Sequence, residues 1–66
     1  MKKLYQDDYE IHVYYTKESD GSTSTEFEVY DETDRYIVSG WHDHRLTDSQ
    51  VITKAYEALN GELWKN

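Results

Sequence analysis

Residues Tyr9 to Tyr15 and Thr25 to Tyr30 alternate between apolar and polar side chains, and that period of two is the pattern of a half-buried β-strand. In the first run Tyr9, Ile11, Val13 and Tyr15 share one face, with Glu10, His12 and Tyr14 on the other. In the second, Phe27 and Val29 point inward, and Glu26, Glu28 and Tyr30 point outward. Between them Lys17 to Ser24 is polar and contains Asp20-Gly21, where Gly21 is free to take positive φ, so the spacing predicts a hairpin. Asp31-Glu32-Thr33-Asp34 forms a second short connection. After it, Arg35 to Trp41 is β-branched and aromatic and reads as a third strand. Its inward face is ambiguous: either Tyr36 and Val38, or Ile37, Ser39 and Trp41, because a slip of one residue exchanges the two sets.

The pattern then changes period. Thr47 as N-cap, Asp48 in the first turn, Gln50 at the third helical position and Leu46 set to staple against Val51 together mark a helix start. Val51, Ala55 and Leu59 recur every four residues, flanked by Ile52 and Tyr56, giving an apolar stripe that must lie on the sheet. Asn60-Gly61 is the expected end of the helix, with Leu63 and Trp64 folding back as a final apolar plug. The expected fold is therefore an α+β mini-domain: a three-stranded antiparallel β-meander with one C-terminal α-helix packed on one face, in a single domain over residues 1–66.

A chain of 66 residues buries only about 60% of its unfolded surface, so its stability margin is thin. It has no Cys, hence no disulfide and no thiolate metal site, and a second copy of the chain is one substitute for these staples. Absence of Cys fits a reducing cytoplasm. Lys2 and Lys3 resemble the start of a signal peptide, but Tyr5 to Glu10 brings three acids where an apolar run is needed, so neither a leader nor a membrane anchor is expected. Seven Tyr, two Trp and one Phe supply the apolar area that argues for folding despite the acid excess.

That excess is unevenly placed. From Tyr5 to Asp34 there are ten carboxylates against the single cation Lys17, a segment charge of −9, whereas residues 35–66 hold four acids and four bases. A field of one sign attracts basic partners and repels nucleic acid and anionic membranes. His42-Asp43-His44 has metal-ligating side chains, yet only His12 remains as a further imidazole, so the expected reading is a solvated loop with no metal or other cofactor. Ser19, Ser22, Ser24 and Ser39 sit in no nucleophile motif, no glycine-rich loop precedes the helix, and no catalytic residue is assigned. Tyr14, Tyr30 and Tyr36 on an outward sheet face would suit base stacking, but Glu10, Glu26 and Glu28 between them oppose a polyanion, so direct nucleic-acid binding is not expected.

Glu26 and Glu28 alternate along one strand about 6.8 Å apart, a regular row of negative charge of the kind a nucleic-acid backbone presents. Glutamates in such positions also simply solvate an exposed face. An aromatic surplus among them is what favours recognition over solubility. The sequence therefore points to a non-enzymatic acidic protein-binding module, with Glu10, Tyr14, Glu26, Glu28, Tyr30, Asp31, Glu32 and Asp34 as its partner-binding residues. Its expected partner is a basic host protein that handles nucleic acid. In size, charge and lack of catalytic motif the chain resembles phage- and mobile-element-encoded host-takeover and anti-defence inhibitors, DNA mimics included. The competing expectation is a small structural homodimer in which the acids serve solubility.

Overall fold

In the computed structural model, residues 1–63 are described, and they form four strands followed by one helix: β1 (Lys2–Gln6), β2 (Tyr9–Lys17), β3 (Thr23–Tyr30), β4 (Tyr36–His42) and α1 (Asp48–Leu63). The strands make one antiparallel sheet in the order β1-β2-β3-β4, and α1 covers one of its faces. The architecture is thus α+β with a single C-terminal helix, but the meander has four strands rather than three. The extra strand is β1, paired with β2 from Lys2 opposite Val13 to Gln6 opposite Tyr9. Only Leu4 in it packs against the core, so its pattern is too faint to announce a strand. The turn that forms it, Asp7-Asp8, lacks glycine; Asp7 itself takes the left-handed corner at φ 55, which aspartate tolerates better than most residues.

Alternation survives intact in β2 and β3. Ile11, Val13, Phe27 and Val29 are all buried beneath α1 and meet Val51, Ala55 and Leu59 from its apolar stripe. The ambiguity in β4 is resolved by a bulge. Val38 pairs with Val29 but Tyr36 pairs with Tyr30, leaving Ile37 as the extra residue. Ile37 and Val38 therefore both pack against the core, and Tyr36, Ser39 and Trp41 lie on the opposite face, a combination neither sequence alternative contained. Gly40 matters for the core: a Cβ there would stand 2.4 Å from Cζ of Phe27, so the absence of a side chain in β4 is what admits the Phe27 ring.

The helix start matches its local signals. Thr47 Oγ1 accepts the Gln50 N–H at 3.3 Å, Gln50 Oε1 accepts the Thr47 N–H at 2.9 Å, and Leu46 is buried with Val51. The helix end is a correction. Asn60-Gly61 does not stop it, since Gly61 has no left-handed φ and the helix runs on to Leu63. A glycine in a helix costs only about 1 kcal/mol against alanine, which weakens a terminal turn without ending it. The expected plug of Leu63 and Trp64 lies outside the described side chains. No helix of the described residues is long and apolar enough to cross a membrane.

One buried polar side chain ties the sheet to the helix. Thr25 is fully buried; its hydroxyl donates to the His44 carbonyl at 2.9 Å and accepts the Leu46 N–H at 3.0 Å, clipping the β4–α1 loop onto β3. Tyr15 adds a hydroxyl donated to the Leu46 carbonyl at 2.9 Å, with the Arg45 guanidinium 4.2 Å above its ring. At the other edge Lys2 pairs with Asp48 at 2.6 Å, and Tyr56 donates to Asp7 while meeting Tyr9 edge-on at 6.2 Å, fastening α1 to both ends of the β1–β2 hairpin.

Candidate interaction face

Because β2 from Tyr9 to Tyr15 and β3 from Thr25 to Tyr30 turn their odd-numbered residues to the core, the even-numbered ones there project from the side of the sheet that α1 leaves open. The register sets them in rows. Tyr5, Glu10, Tyr30 and Tyr36 form one, Lys3, His12, Glu28 and Ser39 the next, and Tyr14, Glu26 and Trp41 a third. Five of the eight expected partner-binding residues, Glu10, Tyr14, Glu26, Glu28 and Tyr30, therefore share this face. Lys3, Tyr5 and Trp41 join them without having been placed there by the sequence. The first two belong to the unforeseen strand, and the third points outward in only one of the two sequence readings of β4; the bulge is what brings Tyr36 to the same face.

The face is internally organised. Glu28 accepts the Tyr14 hydroxyl at 2.9 Å and the Tyr30 hydroxyl at 3.3 Å, so one carboxylate holds two rings in place. The hydrogen bond to Glu28 raises the Tyr14 phenol above its ordinary value; partial burial, then the Glu28 charge, does the same for Tyr30. Both phenols stay protonated donors at neutral pH. Glu10 pairs with His12, which lowers the carboxyl below the usual glutamate range, with Lys3 at 3.9 Å adding to the effect. The His12 ring lies 4.4 Å from that of Tyr30, whose other neighbour is Tyr36 at 6.0 Å. Glu26 is exposed and, among the described residues, has no ion-pair partner.

The other three expected residues are in the β3–β4 loop at the end of this face. Glu32 and Asp34 are exposed, Asp34 in a left-handed conformation at φ 63. Asp31 is half-buried and structural. Its Oδ1 accepts the Thr33 N–H at 2.8 Å, the Thr33 hydroxyl at 2.7 Å and the Arg35 N–H at 3.0 Å, and these bonds hold its carboxyl below the ordinary aspartate range. Asp7 and Asp8 sit in the β1–β2 loop at the same end. Glu18 and Asp20 belong to the β2–β3 hairpin at the opposite end. The ten carboxylates of the acidic segment therefore divide: most occupy the open face and one end of the sheet, and two occupy the other end.

The His42 and His44 rings meet edge-on, with centroids 6.0 Å apart, but have different further neighbours. His42 stacks beside Phe27 at 6.4 Å on the helix side, and His44 contacts Asp43 at 3.1 Å. Among the described residues no group of three His, Cys, Asp or Glu side chains gathers in a way that would hold a metal ion. Comparison with protein families, with curated proteins and with solved structures finds no match for this chain.

Proposed function

We propose that this protein is a non-enzymatic binding module whose open sheet face docks against a basic protein surface, of the kind that handles nucleic acid, and blocks it. The observation that supports this reading is the composition of the open face. Three carboxylates are interleaved there with Tyr5, Tyr14, Tyr30, Tyr36 and Trp41, and Tyr5 and Trp41 are 67% and 60% exposed although nothing in the fold requires them to be. Rigid aromatic side chains supply interface area at low entropic cost, and the carboxylates select a cationic partner and steer its approach. Glu32 and Asp34 at the end of the face extend the same field. Such a module suits the role of a DNA mimic or host-directed inhibitor working in the cytoplasm.

A second reading has its own observation. Exposed Tyr5, Tyr36 and Trp41 would equally be covered by another copy of the chain, making the module a structural homodimer. Salt separates the two, because exposed charges are screened beyond about 8 Å at physiological ionic strength while an apolar self-interface is not. The experiment is capture of host proteins on the immobilised chain at low and high salt, with Glu26→Lys/Glu28→Lys as control. The expected result is a basic protein retained at low salt, released at high salt and lost with the control, whose own nucleic-acid binding is competed by this chain. Recovery of the bait alone, with a salt-resistant dimer in light scattering, rejects the blocking role and leaves the homodimer.

A further inference from the structure

At the β2–β3 hairpin end, the open face runs into a groove of about 440 Å³. Trp41 lines it together with Glu18, Asp20, Asp43, Ser22 and Ser24. We propose that this groove receives the guanidinium of an arginine from the basic partner; the inference rests on the function proposed above and places one contact of that interface.

Three features commit the groove to this occupant. The first is the aromatic lining: Trp41 is 60% exposed, and indole is the aromatic ring that attracts cations most strongly, a planar guanidinium stacking on it most readily. The second is charge. No Lys or Arg of the described residues lies within ion-pair distance of Glu18, Asp20 or Asp43; the one basic contact is between Asp43 and His44 at 3.1 Å. A guanidinium entering the groove would meet carboxylates whose attraction no lysine or arginine among the described residues already satisfies. The third is preorganisation. Glu18 accepts the hydroxyl of buried Ser24 at 2.7 Å, and Asp20 accepts the Ser22 N–H at 2.9 Å and its hydroxyl at 2.6 Å. Each carboxylate is fixed through one oxygen and keeps the other available, so little side-chain freedom is lost when a cation arrives. Continuity supports the assignment as well: Trp41 stands directly opposite Glu26 in the register, so a partner lying on the face reaches the groove without a gap.

The test is a titration of the isotope-labelled protein with a tetra-arginine peptide, and in a second arm with tetra-lysine, followed by two-dimensional amide NMR. The Trp41 indole N–H is identified by its loss in Trp41→Phe. Expected are saturable shifts of that indole and of the Ser22 and Ser24 amides, with tetra-lysine binding more weakly. Trp41→Ala should weaken tetra-arginine binding about three- to fivefold. Glu18→Gln, which keeps the acceptor for Ser24, and Asp43→Asn should each weaken it too. Since these side chains project outward, an unchanged dispersion of core amides verifies that each variant is folded. Shifts confined to Tyr14, Glu26 and Glu28, with the indole unmoved, would overturn the groove and leave the face intact. Equal binding of tetra-lysine would overturn the guanidinium assignment. No shift at either place would overturn both the groove and the basic-partner reading on which it rests.

Discussion

The two faces of this sheet are written by the same strands and obey opposite rules. Toward α1, Ile11, Val13, Phe27 and Val29 are each no more than 1% exposed and pack into one apolar cluster, with the His42 ring stacked beside Phe27. One residue along, Glu10, His12, Tyr14, Glu26, Glu28 and Tyr30 are partly or fully open and bond chiefly to one another. Alternation lets a very small domain separate folding from recognition within a single layer, since a substitution on one face leaves the other untouched while the register holds. At roughly 0.05–0.15 kcal/mol per residue the whole domain has only about 3–10 kcal/mol to lose. Even moderate damage to the covered face should therefore show globally, and reversal of an open-face charge should not.

The largest effect is expected at Gly40, where the two faces meet through the backbone. In Gly40→Ala the new Cβ would lie 2.4 Å from Cζ and 2.6 Å from Cε2 of Phe27, a ring too well packed to move aside. Overpacking of this kind costs about 1–3 kcal/mol, so the urea midpoint should fall markedly, whereas Glu26→Lys should change the unfolding free energy by no more than about 0.5 kcal/mol. Adding Phe27→Leu to Gly40→Ala should recover part of the loss, and the double-mutant cycle measures the coupling. If Glu26→Lys destabilises as much as Gly40→Ala does, the two faces are not independent.

Thr25→Val is expected to cost less than Gly40→Ala, because it keeps shape on the covered face and removes only a hydroxyl. The His44 carbonyl and the buried Leu46 N–H lose their partner, at a cost of about 1–2 kcal/mol. Faster hydrogen exchange at the Leu46 amide, ahead of the amides of β2 and β3, would show that the β4–α1 connection loosens first. Exchange rising evenly throughout would mean that the clip has no local role.

What was legible in the sequence follows the same division. Strands β2 and β3 announce themselves because one face of each is apolar and the other polar, and α1 does so because Thr47, Gln50 and Leu46 form a local cap that needs no tertiary partner. What stayed hidden depends on distant contacts. β1 has one core residue, Leu4, and exists because its backbone pairs with β2. Its best local trace is the Asp7-Asp8 pair that directly follows the Lys2–Gln6 run. The Ile37 bulge is set by how β4 meets β3, and the Thr25 clip by a loop about twenty residues away. Of the open face, Glu10, Tyr14, Glu26, Glu28 and Tyr30 were readable from parity alone. Asp31 looks like its loop neighbours in sequence, but in the fold its Oδ1 is committed to Thr33 and Arg35.

The smallest effect expected lies at the seam between helix and hairpin, where Tyr56 donates its hydroxyl to Asp7. That hydrogen bond, aided by the charge of the same carboxylate, pushes the phenol up to about 12 from an ordinary value of 10. In the unfolded chain the phenol ionises near 10, while in the folded one it holds its proton until about 12. The contact therefore contributes its full stabilisation below pH 10 and loses it progressively as pH rises from 10 toward 12. Tyr14 and Tyr30 shift in the same direction, so the wild type should lose thermal stability across this alkaline window. Tyr56→Phe removes the steepest of these contributions. Its melting temperature should lie slightly below that of the wild type at neutral pH, and the difference should narrow as the pH approaches 12. A constant difference from pH 7 to 12 would show that Asp7 does not hold the Tyr56 proton, leaving the helix fastened to this end of the hairpin by the Tyr9–Tyr56 ring contact alone.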